Sequence, residues 1–347
     1  MENFFDKNEE LFIFQQSIDL STNNYTCFLN DSNFFLKRNS PQLTTLKPVW
    51  SELRPLKYAV ENVNFIWCSE YSNEIIETLK EVEKKRKIIN YDSTQKQFRT
   101  SLVQVIKYSA EILTLGRTTV HLAVYLLDVF MDTCFIPETK LNVVALTCLL
   151  LASKVEERDS NVPKLDRLRK ICRSNSIKEF KNVEVKLLQF FEWYLLFPSA
   201  ATYLEYYVSN FLNKTDMLQL LESNKRNLTN ENEILNEASS LIFAFLDLIL
   251  QDQSLVQAVP SITAAACLAA VRKSFELSKW NNDLFVMTGY KFLEIEKVYE
   301  NLLQLKKKRD FEEILKRPSD SLLQSSDSEI EDDQLYVIRD FKRRKLD

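Results

Sequence analysis

From about residue 60 to residue 315 the hydrophobic positions fall in helical registers. Between Leu141 and Ser153 thirteen residues pass without a charge, and Lys154, Glu156 and Glu157 follow. A helix apolar on every side is buried among other helices, and this one is shorter than the ~20 residues that cross a bilayer. It reads as the central rod of a helical domain, with a lysine emerging at its C-terminal end. Upstream, Ile75, Leu79 and Val82 predict a helix between Val63 and Lys87 that ends on the basic run Lys84–Lys87. The next starts near Ser93 or Thr94 and places Leu102, Val105, Ile106, Ser109, Ile112 and Leu113 on one face. Another spans Thr118–Asp132, and Pro137 with Glu138 opens the rod. Past a polar break, Pro163 leads into a short basic helix ending at Cys172. Ser176 and Glu179 then form a capping box for a helix running to Phe197-Pro198.

The second half repeats this plan without a flexible linker. Ser199–Leu212 reads as one helix, 213–230 as a polar loop, and Glu231–Gln251 as a long helix. Val259-Pro260 precedes the apolar helix of Ile262–Phe275, and two more stretches run from Trp280 to about Leu315. CLLLASK at 148–154 and CLAAVRK at 267–273 share Cys, Leu and Lys in register, a faint sign of duplication. The predicted fold is therefore all-α, with two tandem five-helix domains. Residues 1–60 form a partly disordered extension, 61–197 the first domain with its preceding helix, 198–315 the second, and 316–347 a disordered tail.

Composition narrows the chemistry. The 347 residues include two glycines, Gly116 and Gly289, where average usage predicts ~24. Phosphate loops, dinucleotide fingerprints and tight hairpins all need glycine, so those architectures are set aside. Six cysteines form no CxxC pair and read as small buried hydrophobes. The single histidine, His121, lies in an apolar run and reads as a satisfied core residue, which argues against histidine catalysis and His-rich metal sites. No cofactor or metal is expected. The N-terminus has acids where a signal peptide has bases, and no segment is of membrane-spanning length. A net charge of −4 gives no overall basic footprint for nucleic acid.

Two residues stand out on burial grounds. Asp128 is the only acid between Val120 and Met131, and a carboxylate buried alone is costly. Arg99, at the edge of the apolar face of its own helix, is the natural partner. In the tail, Ser326 and Ser328 each precede a glutamate by three residues and suit acid-directed kinases. Lys342, Arg343, Arg344 and Lys345 read as a nuclear-localisation signal, with a solvated basic end as the alternative. Ser40-Pro41 is a minimal proline-directed phosphorylation site.

FRTSLVQVIKYSAEILTLGRTTVHLAVYLLDVFM, followed by ALTCLLLASKVEE, resembles the first cyclin box. WCSEYSNEIIETLKEVE is similar to the helix that leads into it, and the combination looks most like the J-type members. The resemblance covers residues 60–310. The spacing of Arg99, Asp128, Lys154 and Glu184 matches the family's four charged markers. It implies a buried brace for Arg99 and Asp128, and contact with a kinase partner for Lys154 and Glu184. Read without the family, Lys154 caps its helix and Glu184 lies on a solvated face. The resemblance also implies a substrate-docking groove at Phe98, Leu102 and Val105. Here Ser101 replaces an aliphatic residue and Val105 stands where tryptophan is usual, which puts docking in question. No free Arg-x-x-Leu destruction motif occurs in the N-terminal extension. The expected function is a non-catalytic subunit that binds and activates a cyclin-dependent serine/threonine kinase in cell-cycle control. The expected partner is the kinase catalytic subunit, in a heterodimer, and the expected location is nuclear or cytoplasmic, with the nucleus favoured. The alternatives are a cyclin-fold scaffold without kinase activation and a transcription-factor-like nucleic-acid-binding fold.

Overall fold

The computed structural model describes residues 72–90, 93–172, 176–208, 211–223, 230–256 and 258–316. The extension with Ser40, the tail with Ser326, Ser328 and Lys342–Lys345, and two cysteines, Cys27 and Cys68, lie outside these residues.

The regular elements are helical: α1 (Ser72–Glu83), a 3-10 turn (Thr94–Phe98), α2 (Arg99–Leu113), α3 (Arg117–Thr133), α4 (Glu138–Glu156), α5 (Leu165–Cys172), α6 (Ile177–Phe190), α7 (Ala200–Tyr207), α8 (Lys214–Ser223), α9 (Glu231–Gln251), α10 (Gln253–Val256), α11 (Pro260–Ser274), α12 (Asn282–Thr288) and α13 (Phe292–Lys316). Two cores organise them. In the first, α4 is the predicted rod, buried continuously from Val143 to Ser153 and packed by α2, α3 and α6. In the second, α11 takes the same place among α7, α9 and α13. Each rod starts beside a proline, Pro137 or Pro260, where the missing N–H costs nothing. Cys148 and Cys267, the matched cysteines of the faint repeat, are both fully buried in these rods as free thiols, and burial pushes both thiols up.

The structure alters several expectations. Helix α1 precedes the first domain in sequence but docks on the second, with Ile76 in the second core. It ends at Glu83 rather than in the basic run because the Glu83 carboxylate seats on the start of α11. Ser261 donates to it from its backbone N–H and its hydroxyl, both at 2.7 Å. Arg86 donates to Pro198 O at 2.6 Å and covers the Tyr125 ring. On α2 the buried face is rotated, so that Val103, Lys107 and Ala110 are buried while Ile112 is exposed and Val105 half-buried. Lys107 turns inward because Asp247 of α9 waits 3.2 Å away.

Helix α6 stops at Phe190, seven residues before Phe197. Glu192 and Trp193 adopt left-handed φ of 53° and 63°, which reverses the chain. The turn brings Phe191 and Phe197 back into the core, where Phe197 meets Tyr125 and Tyr194 edge to face. Likewise α7 ends at Tyr207, and 214–223 of the supposed polar loop is helix α8. It is held because Asp216 forms a buried forked pair with Arg272 of α11, at 2.6 and 3.0 Å.

Candidate functional site

The rod α4 sets where Lys154 emerges. Ser153 is fully buried and donates from Oγ to Leu150 O at 2.7 Å. The chain leaves the helix at Glu157, whose carboxylate accepts from Gly116 N at 2.6 Å and Thr119 Oγ1 at 2.8 Å, at the start of α3. A carboxylate is favoured there by the helix dipole. A Cβ at Gly116, one of the two glycines, would lie 3.2 Å from that carboxylate oxygen, which would have to give by a few tenths of an ångström. The other, Gly289, ends α12 at φ 76°.

Lys154 does not cap its own helix. It reaches across to α6 and places Nζ 2.5 Å from Glu184 Oε1. The lysine side chain is 49% exposed and the glutamate 14%. A second bridge, Lys140 to Glu179, ties the first turns of the same two helices. The Lys154–Glu184 pair thus sits at the solvent edge of a rigid helix junction. Close in sequence to Glu184 are exposed apolar side chains, Val185, Trp193 and Leu196, and Ile88 follows the basic run. Lys85 lies over the Tyr194 ring and Lys87 over Phe190, linking that run to the same segment. Helical periodicity missed Trp193 and Leu196 as surface residues. The run FEWYLLFP reads as continuous core helix unless the left-handed turn is known.

Arg99 and Asp128 are brought together inside the molecule. Nε and Nη2 donate to the two carboxylate oxygens at 2.8 and 2.9 Å, and both side chains are at most 2% exposed. Arg99 Nη1 also donates to Leu250 O at 3.0 Å, at the C-terminal end of α9 in the second domain. Sequence reasoning anticipated the pair but missed this reach across the domains, and it missed the Arg272–Asp216 fork altogether. Arg272 also donates to Phe211 O at 2.7 Å and Ser278 O at 2.8 Å.

The three residues of the expected groove are separated by burial. Leu102 faces the first core, while Phe98 and Val105 are half-buried against it. Ser101 is exposed and donates to Phe98 O at 2.7 Å.

His121 is buried, but its Nε2 has no hydrogen-bond partner among the described residues, which corrects the expectation of a satisfied core histidine. It lines a cavity of about 50 Å³ between the domains with Arg86, Arg99 and Asp128. Burial, reinforced by Arg117, Lys107 and Arg86, holds the imidazole down at about 3, so it is neutral at pH 7. Among the described residues there is no group of His, Cys, Asp or Glu able to hold a metal ion, and no helix is long and apolar enough to cross a membrane.

The family profile "Cyclin, N-terminal domain" matches residues 74–196, and "Cyclin, C-terminal domain" matches 203–327. Cyclin-J of Xenopus laevis is 34% identical over 249 residues, covering 68% of this chain and 62% of that protein. Cyclin-J of Homo sapiens is 32% identical, covering 68% and 61%. The chain therefore spans about three-fifths of the length of these relatives. Among solved structures, a viral cyclin from herpesvirus saimiri superposes with a TM-score of 0.49 at 14% identity, covering 67% of this chain and 97% of that one. Two cyclin domains in tandem, each built round a buried rod and together covering most of the chain, place this protein in the cyclin family.

Proposed function

We propose that this chain is a regulatory subunit that binds and activates a cyclin-dependent serine/threonine kinase in cell-cycle control, without catalytic residues of its own. The observation that carries the reading is the Lys154–Glu184 pair at 2.5 Å, held at the edge of the α4–α6 junction with the lysine half exposed. Val185, next to Glu184 on α6, is exposed, and Trp193 and Leu196 follow in sequence, so the segment offers exposed apolar and aromatic surface of the kind that interface cores use. Activation then works by differential binding. A rigid helical surface that fits only the ordered arrangement of a kinase raises the population of that arrangement. Location in the nucleus, from the basic cluster Lys342–Lys345, belongs to the same proposal.

Because the two side chains pair with each other, a charge swap tests the interface role cleanly. K154E and E184K each break the pair, while K154E/E184K restores it with inverted polarity. The expected result is loss of kinase co-purification in all three, with circular dichroism unchanged. Recovery of kinase binding in the double swap would show that the pair only braces α4 on α6. A kinase assay on the co-purified complex separates an activator from a scaffold.

A further inference from the structure

Helices α5 and α6 present a basic face that the kinase reading does not use. Lys164, Arg167 and Lys170 recur at three-residue spacing and are exposed, as are Lys178 and Lys181 on α6. Residues three apart on a helix are neighbours on one surface, and α5 packs on α6. Among the described residues none of these five cations has a carboxylate within ion-pair distance. The pairs in this region are made by others: Arg169 with Asp166, Lys140 with Glu179, and Lys154 with Glu184. In the basic run 84–87, by contrast, Arg86 is engaged by Tyr125 and Pro198 O and Lys87 by Phe190. A chain of net charge −4 thus carries five exposed cations without an ion-pair partner among the described residues on and beside one pair of helices.

The same chain carries a matching segment. Residues 318–338 hold six acids, Asp320, Asp327, Glu329, Glu331, Asp332 and Asp333, and no lysine or arginine. They follow directly on α13. Contacts place the exit of α13 beside the first domain. Arg309 donates to Ala244 O of α9, and the preceding residue, Phe243, lies under Arg117 at 3.5 Å. Gly116 then contacts Glu157, seven residues before Lys164. From Lys316 to Asp333 the chain can span about 56 Å, wide against a domain of this size, whose radius of gyration is about 13 Å.

We propose that the α5–α6 basic face is a docking surface for an acidic serine segment, and that its occupant is residues 319–333 of this chain. Tethering supplies a millimolar effective concentration, so modest ion pairs suffice. Phosphorylation of Ser326 and Ser328 adds charge and acceptor oxygens and strengthens the contact. Lys181 lies one turn from Glu184, so a docked tail runs up to the Lys154–Glu184 pair. The docking itself stands independently of the kinase reading.

Zero-length carbodiimide cross-linking of the full chain, read by mass spectrometry, tests it. Tail carboxylates are expected to couple to Lys164, Lys170, Lys178 and Lys181 within one chain, less so at high salt. S326E/S328E should raise the yield about twofold. In parallel, amide exchange across 164–182 should be about threefold slower in the wild type than in D327N/E329Q/E331Q/D332N/D333N. Coupling spread evenly over Lys273, Lys279 and Lys307, coupling found only between chains, or unchanged exchange would each overturn the proposal. So would a short DNA duplex that binds the wild type but not K164E/R167E/K178E/K181E while tail-dependent protection is missing, since the face would then belong to nucleic acid.

Discussion

Arg99 with Asp128 and Arg272 with Asp216 are two buried forks of the same kind. Removing one partner of a buried pair strands the other charge, so D128A and D216A are each expected to cost about 3–5 kcal/mol in urea unfolding. The first fork was legible in the sequence because each residue is conspicuous on its own helix: the one acid in an apolar run, and a base at the edge of an apolar face. The second was not. Arg272 stands next to Lys273 at the end of the rod, and nothing local says which cation turns inward; Asp216 sits in a polar run that reads as loop. His121 makes a different prediction. Its folded value of about 3 lies below the unfolded 6.5, so under pH 6.5 the unfolded chain takes up a proton that the fold refuses. Stability from this group is complete above 6.5 and is lost as pH falls towards 3. Relative to H121Q, the wild type should lose about 2 kcal/mol between pH 7 and pH 5, at 1.36 kcal/mol per unit. Glu83, Glu156 and Glu205, whose carboxyls burial raises, push the other way as pH falls. They are common to both proteins and cancel in the difference.

At the level of elements, periodicity located the rods and the Glu231–Gln251 helix because burial repeats along them. It failed where a single backbone conformation decides the outcome. The run through Phe190 to Phe197 is apolar enough to continue as helix, and only the left-handed Glu192 and Trp193 send it back over the core. Helix α8 did leave a trace in the sequence. Asn213 Oδ1 accepts from Asp216 N at 2.8 Å, and Asp216 Oδ2 accepts from Asn213 N at 3.1 Å, a reciprocal N-terminal cap. The polar character of the segment hid it. The turn after α6 predicts that E192V, a branched side chain at φ 53°, destabilises by about 1–2 kcal/mol, while E192G is neutral within a few tenths. Chemical denaturation at one pH separates the two. Helix α1 gives a parallel case. E83A removes the anchor on Ser261 and should free α1 to exchange its amides faster than the rest of the fold. E83Q, which keeps an acceptor, should sit between the two.

Across the whole molecule, the two domains are joined by specific contacts rather than by a linker. Leu250 of α9 is counted in the first core, Lys107 pairs with Asp247, and Arg117 covers Phe243. Arg99 is the central element of this joint. Its guanidinium gives two donors to Asp128 inside the first domain and a third to Leu250 O, at the buried carbonyl end of α9. Cations are favoured at such helix ends, and only the rigid fork of arginine serves both partners at once. Lysine can neutralise Asp128 but has no second arm to reach α9. R99K therefore separates the brace from the joint. The first domain should keep most of its stability, while coupling between the domains weakens. Calorimetry is expected to show one cooperative transition in the wild type and two, or one markedly broadened, in R99K. Exchange should rise first at the amides around Leu250 and Gln251. A single sharp transition in R99K, lowered in temperature but unbroadened, would mean that the domains are held by their apolar contacts alone and that Arg99 serves only its own domain.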